Sequence, residues 1–111
     1  MVNEFMRDEQ IGALADAMLT LGTRDEMLAF FEDIFTVHEV QAVAQRLAVA
    51  RLLRQRVTYQ DIAERTGAST ATISRVNRCL SYGAGGYQKA LARMEQGDQA
   101  DTEKNRQEET P

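Results

Sequence analysis

The stretch from Val57 to Leu80, VTYQDIAERTGASTATISRVNRCL, constrains this chain more than any other part of it. Thr58 stands three residues ahead of Asp61, the spacing at which a hydroxyl caps the first turn of a helix, and the inward residues of the short helix it opens are Ile62, Ala63 and Thr66. Gly67 ends that helix where a left-handed backbone conformation costs least, and Ser69 can cap the next one. Two helices meeting steeply through a turn of three or four residues make a helix-turn-helix, here over about 58–81. Ala63 is small enough to let the two axes approach, Gly67 turns the corner, and Ile73, Val76 and Leu80 seal the second helix onto a core. An αα-hairpin that only packs needs no such spacing and no special outer face.

The second helix, at about 69–81, has such a face. At 100° per residue Ile73, Val76 and Leu80 fall on one side, while Ala71, Ser74, Arg75 and Arg78 lie opposite, flanked by Thr70 and Thr72. Short hydroxyl and methyl side chains let a helix sit close to base edges, and arginines can fork onto guanine or phosphate. The helix start carries the positive dipole end and unsatisfied N–H groups, which suit a backbone phosphate. The pattern predicts a recognition helix for a major groove of double-stranded DNA, with Ser69, Thr70, Ala71, Thr72, Ser74, Arg75 and Arg78 as contacts. Tyr59, Gln60 and the basic end of the preceding helix are the expected phosphate holders.

The overall charge first argues the other way. The 111 residues carry a net −4, whereas phosphate binding normally leaves a basic footprint. Divided along the chain, the charge separates. Residues 1–43 hold nine acidic side chains against two basic, a net of −7, and residues 94–111 hold six against two, a net of −4. Residues 44–93 hold nine basic side chains against Asp61 and Glu64, a net of +7 that coincides with the helix-turn-helix. A single cysteine excludes a disulfide framework and fits a reducing compartment. No apolar run approaches the roughly 18 residues that span a bilayer, and the N-terminus does not read as a secretion signal. A cytoplasmic protein with no membrane partner is the expectation.

The remaining segments also read as helices, because apolar residues recur at three- and four-residue spacing and no stretch alternates with period two. Ile11, Leu14, Met18 and Leu21 share one face of a helix over about 8–21, which Gly22 stops. Thr23 and Glu26 have capping-box spacing and open a segment, Met27 to Phe35, that is apolar at seven of nine positions. So short a helix cannot hide that surface against one neighbour, which points to wrapping on several sides, including by a second subunit. Thr36 and Glu39 repeat the capping box and open the longest helix, about 37–55. Tyr82-Gly83-Ala84-Gly85-Gly86-Tyr87 follows a helix and lacks a GK[ST] ending, so it is a cap and turn, not a phosphate loop. A last helix, Tyr87 to Met94, turns Tyr87, Leu91 and Met94 inward. Residues 1–94 form one helical domain. From 95 to 111 one Ala is the only apolar side chain, so the expectation there is a disordered acidic tail for solubility and charge balance, with competition against DNA as the alternative role.

The run TYQDIAERTGASTATISRVNRCL, with FTVHEVQAVAQRLAVARLLRQR before it and YGAGGY after it, resembles the tryptophan repressor superfamily, and especially the small repressor-like proteins of the YerC/YecD type. The likeness covers about residues 25–93. It implies an all-α chain of about six helices, an intertwined homodimer, and two recognition helices presented to successive major grooves. The resemblance also implies an effector pocket, in which Arg46 and Arg75 match the arginines that sandwich the indole and Thr36 matches a pocket threonine. Val76 stands where that family has a glycine, and Cys79 where it has the serine that holds the ligand's amino group. Valine fills the space an indole needs and a thiol is a poor acceptor for an ammonium, so tryptophan is not the expected corepressor. Arg46 is then a dimer-interface or phosphate-facing arginine.

His38 has no second ligand at metal spacing, and Cys79 has no resolving partner, so a surface histidine and a half-buried thiol are expected, with no metal and no cofactor. No nucleophile–base pair or carboxylate dyad is spaced for catalysis, which excludes an enzyme. Two classes stay open: a homodimeric regulator, expected to be a repressor, on a palindromic operator, or a helical dimer that docks on another protein without specific DNA binding.

Overall fold

The computed structural model describes the backbone of residues 2–109 and the side chains of residues 2–98. Within these residues the chain is all-α. After a 3-10 turn at Glu4–Arg7 come α1 (Glu9–Leu19), α2 (Arg24–Ile34), α3 (Val37–Arg54), α4 (Tyr59–Thr66), α5 (Thr70–Tyr82) and α6 (Gly86–Glu109).

The first five helices begin at side-chain caps. Asp8 accepts from the amides of Gln10 and Ile11, Thr58 from Asp61 and Ser69 from Thr72. At α3 the capping box is reciprocal: the Thr36 hydroxyl accepts from the Glu39 amide at 3.1 Å and the Glu39 carboxylate from the Thr36 amide at 2.9 Å. That backbone donor, with the Thr36 hydroxyl second, holds the Glu39 carboxyl below its ordinary range. At α2 the box closes one residue early, since the Glu26 carboxylate takes the Gly22 amide at 3.1 Å instead.

α3 ends in a Schellman turn. The Val57 amide bonds back to the Leu52 carbonyl and the Arg56 amide to the Leu53 carbonyl, with Leu52 and Val57 both packed against the core. The left-handed position such a turn requires is filled by Arg56, at φ 62°, where glycine is the usual occupant.

The buried core lies entirely at one end of the molecule. Val49 and Ala50 of α3, Ile62 of α4, Ala68 of the turn, Ile73 and Val76 of α5 and Leu91 of α6 make it up. α1 and α2 contribute no buried residue, and in α3 burial begins only at Val49. The radius of gyration is 16.6 Å, against about 13 Å for a compact chain of this length.

Two expectations for the C-terminus need correction. α6 does not stop at Met94, and the backbone expected to be a disordered tail is helical from residue 95 to Glu109, with Thr110 and Pro111 outside the described residues. Glu95 and Asp98 pair with arginines of α3, so the start of this stretch is held by charge. Met94, expected inward, is 40% exposed, although Leu91 on the same side of the helix, one turn earlier, is buried.

Candidate nucleic-acid interface

The turn between α4 and α5 is built by four hydrogen bonds, three of them local. Gly67 takes φ 72°, and its amide bonds to the Ala63 carbonyl at 2.9 Å. The Thr66 hydroxyl donates to the Ile62 carbonyl at 2.7 Å and accepts from the Ala68 amide at 3.2 Å. Gln45, on α3, donates from Nε2 to the Thr66 carbonyl at 3.1 Å. Gln45 is a positioning residue that the sequence reading missed, because nothing in a pattern of apolar spacings marks one glutamine of a helix as the one aimed at a neighbouring carbonyl.

With Ile73 and Val76 sealed against the core, the outward face of α5 is fixed. Thr70, Ser74, Arg78, Ala71 and Arg75 follow one another around it and all are exposed, an arc of about 140° at the α-helical repeat. Thr72 flanks this arc, half-buried, and its hydroxyl accepts from that of Ser69 at 3.0 Å. Ser69 and Thr72 therefore shape the start of the helix. Tyr59 (38% exposed) and Gln60 stand in the first turn of α4, as expected.

The basic end of α3 differs from expectation in an important way. Arg54 donates from Nε and a terminal nitrogen to the two oxygens of Glu95, both at 3.0 Å, and its other terminal nitrogen meets the Gln88 side chain. Gln88 in turn donates to the Leu80 carbonyl at 3.0 Å, which ties α3, α6 and the end of α5 together. Arg51 donates to Asp98 at 2.9 Å. The bidentate bond to Arg54 holds the Glu95 carboxyl below its ordinary range and raises that of the Arg54 guanidinium. Of the cations leading into α4, Arg56 is exposed and carries no such carboxylate contact.

The effector set does not come together within the chain. Thr36 is engaged as the cap of α3. Arg46 is exposed, and it is its neighbour Gln45 that faces the helix-turn-helix. Val76 is 2% exposed, turned into the core. Cys79 is exposed rather than half-buried, and it lines a shallow hollow with the Gly83–Gly86 loop, Tyr87 and Ala90, to which Thr36, Arg46 and Arg75 do not contribute. His38 lies exposed in the first turn of α3, and among the described residues no three metal-ligating side chains gather. No helix among them is long and apolar enough to cross a membrane.

Comparison with known proteins agrees with this geometry. Residues 9–95 match the family model for Trp repressor protein. YerC of Bacillus subtilis (strain 168) is 47% identical over 91 residues, which span 82% of this chain and 88% of that protein. The crystal structure of a TrpR-like protein from Eubacterium eligens superimposes with a TM-score of 0.80 at 47% identity, covering 84% of this chain and 96% of that one. A Staphylococcus aureus structure matches with the same TM-score of 0.80 at 46% identity, over 86% and 95% of the two chains. The chain thus belongs to the Trp repressor family, in its YerC-type branch, a family of DNA-binding transcriptional regulators and not of enzymes.

Proposed function

We propose that this protein is a cytoplasmic, homodimeric repressor that recognises a palindromic operator through α5. The observation that carries the reading is the exposed arc of Thr70, Ala71, Ser74, Arg75 and Arg78 on a helix whose opposite side is locked into the core. On this reading Arg75 and Arg78 reach bases or phosphates, and the small side chains of Thr70, Ala71 and Ser74 let α5 lie deep in the major groove. Tyr59, Gln60 and Arg56 hold phosphates beside it, and Ser69 with Thr72 sets the helix terminus on the backbone.

The dimer rests on surface that a lone chain leaves in water. Leu28, Phe31, Phe35, Val37 and Val40 line one apolar hollow, and Met18, Val43, Ala44 and Leu47 extend it along α3. Phe31 and Phe35 meet edge to face at 5.6 Å with no buried layer over them. An apolar face of this extent is covered in an intertwined pair. Two recognition helices related by a two-fold axis would engage half-sites about 10 base pairs apart.

Salt titration of binding to duplex DNA tests the reading. A logarithmic fall of affinity with salt, with a slope near −0.9 per neutralised phosphate, is expected for groove binding. An affinity indifferent to salt would place the function in protein docking instead.

A further inference from the structure

The +7 block is not all available to DNA. Two of its arginines, Arg51 and Arg54, already hold carboxylates of α6, one singly and one as a bidentate pair. They sit on the last turn of α3, immediately before Arg56 and the first turn of α4, where the proposed phosphate contacts begin. A guanidinium recognises a carboxylate and a phosphate by the same planar fork, so the two anions compete for one site. The pairs are also displaceable. The side chains of Arg51 and Asp98 are 43% and 64% exposed and those of Arg54 and Glu95 24% and 44%, so water and salt screen both.

We infer that Glu95 and Asp98 act as an internal counter-anion, occupying Arg54 and Arg51 in the free protein and yielding them to the DNA backbone only when specific contacts hold the duplex in place. The acidic edge of α6 then suppresses binding to random sequence more than binding to the operator, because only the operator complex supplies enough energy to open the pairs. This rests on the DNA-binding reading of α5.

The test compares four full-length proteins on random-sequence duplex and on immobilised heparin: wild type, E95Q/D98N, the charge-matched control D16N/D33N, and R54Q/E95Q/D98N. Asp16 and Asp33 lie on α1 and α2, outside the basic block in sequence. E95Q/D98N is expected to bind random duplex about fivefold or more tighter than the control, with a salt slope steeper by up to about two phosphates per protomer. R54Q/E95Q/D98N, which keeps the Arg51 freed by D98N, is expected to lose about half of that gain, one phosphate per protomer in the slope. Thermal melting followed by circular dichroism checks that each variant is folded. The wild-type Arg54 Nε–H resonance, shifting as duplex is added, reads the exchange of anions without any substitution.

A gain no larger than that of D16N/D33N, or one that survives R54Q undiminished, would overturn the inference while leaving the DNA-binding reading intact. Failure of every protein, wild type included, to bind either polyanion would contradict both.

Discussion

At the scale of single residues, Arg75 and Arg78 separate reading from holding. If Arg75 forks onto a base, Arg75→Ala costs about 1–3 kcal/mol of specific binding and relaxes the preference at one position of the site. Uniform weakening across sequences, measured by competition with mismatched duplexes, would reassign it to phosphate. Arg56 makes a different prediction, because its two roles have opposite signs. A non-glycine residue at φ 62° is strained, so Arg56→Gly should leave folding stability equal or raise it by about 0.5 kcal/mol, while weakening DNA binding by one phosphate per protomer in the salt slope. Chemical denaturation and a binding titration on the same variant check both signs. Gly83 is a purely structural case. A Cβ there would stand 2.3 Å from the Cys79 carbonyl oxygen that its own amide bonds, so Gly83→Ala should destabilise by more than about 1 kcal/mol through forced movement of backbone.

At the scale of elements, the sequence made helix starts legible because caps are local: Thr23, Thr36, Thr58 and Ser69 each announce a helix within three residues. The helix-turn-helix was legible for the same reason, since Ala63, Gly67 and Ile73 impose its geometry from within one short segment. What stayed hidden depended on distant partners. The pairing of Glu95 and Asp98 with Arg54 and Arg51 spans more than forty residues of chain, and without it a polar stretch reads as a tail. Gln45 reaching Thr66 is hidden likewise. Thr72 flanks the exposed arc as the helical wheel places it, and what the wheel alone does not show is that its hydroxyl accepts from Ser69.

The α3–α6 clamp carries a prediction in pH. The Glu95 carboxyl is held below its ordinary range in the folded chain by Arg54, so its pairing contributes stability that is present above the ordinary carboxylate pKa and is lost as pH falls through the lower, folded one. Between about pH 5 and 3 the thermal midpoint of the wild type should therefore fall more steeply than that of E95Q, and parallel curves would show that the pair adds nothing. In the core below the clamp, Ile62→Ala should cost about 2–5 kcal/mol, because a fully buried side chain at the helix-turn-helix junction is replaced by a cavity.

At the scale of the whole molecule, the chain divides into a packed end that carries α4 and α5 and an arm that is apolar without being buried. The division explains why a net −4 does not describe the working surface: the acidic residues cluster in the arm and on α6, and the basic ones around the helix-turn-helix. It also separates two failures. Phe35→Glu on the arm should leave the α3–α6 core helical but shift sedimentation from dimer to monomer, and with it abolish operator binding, since one half-site alone supplies too few contacts. A variant still sedimenting as wild type would remove Phe35 from the dimer face.

Whether two copies of α5 read DNA together is decided by selecting bound fragments from a random duplex pool with the purified protein. Recovery of an inverted repeat whose half-sites are centred about 10 base pairs apart, lost with Arg75→Ala, is the expected result. Absence of any enriched sequence at low salt, from protein shown to be folded and dimeric, would contradict it.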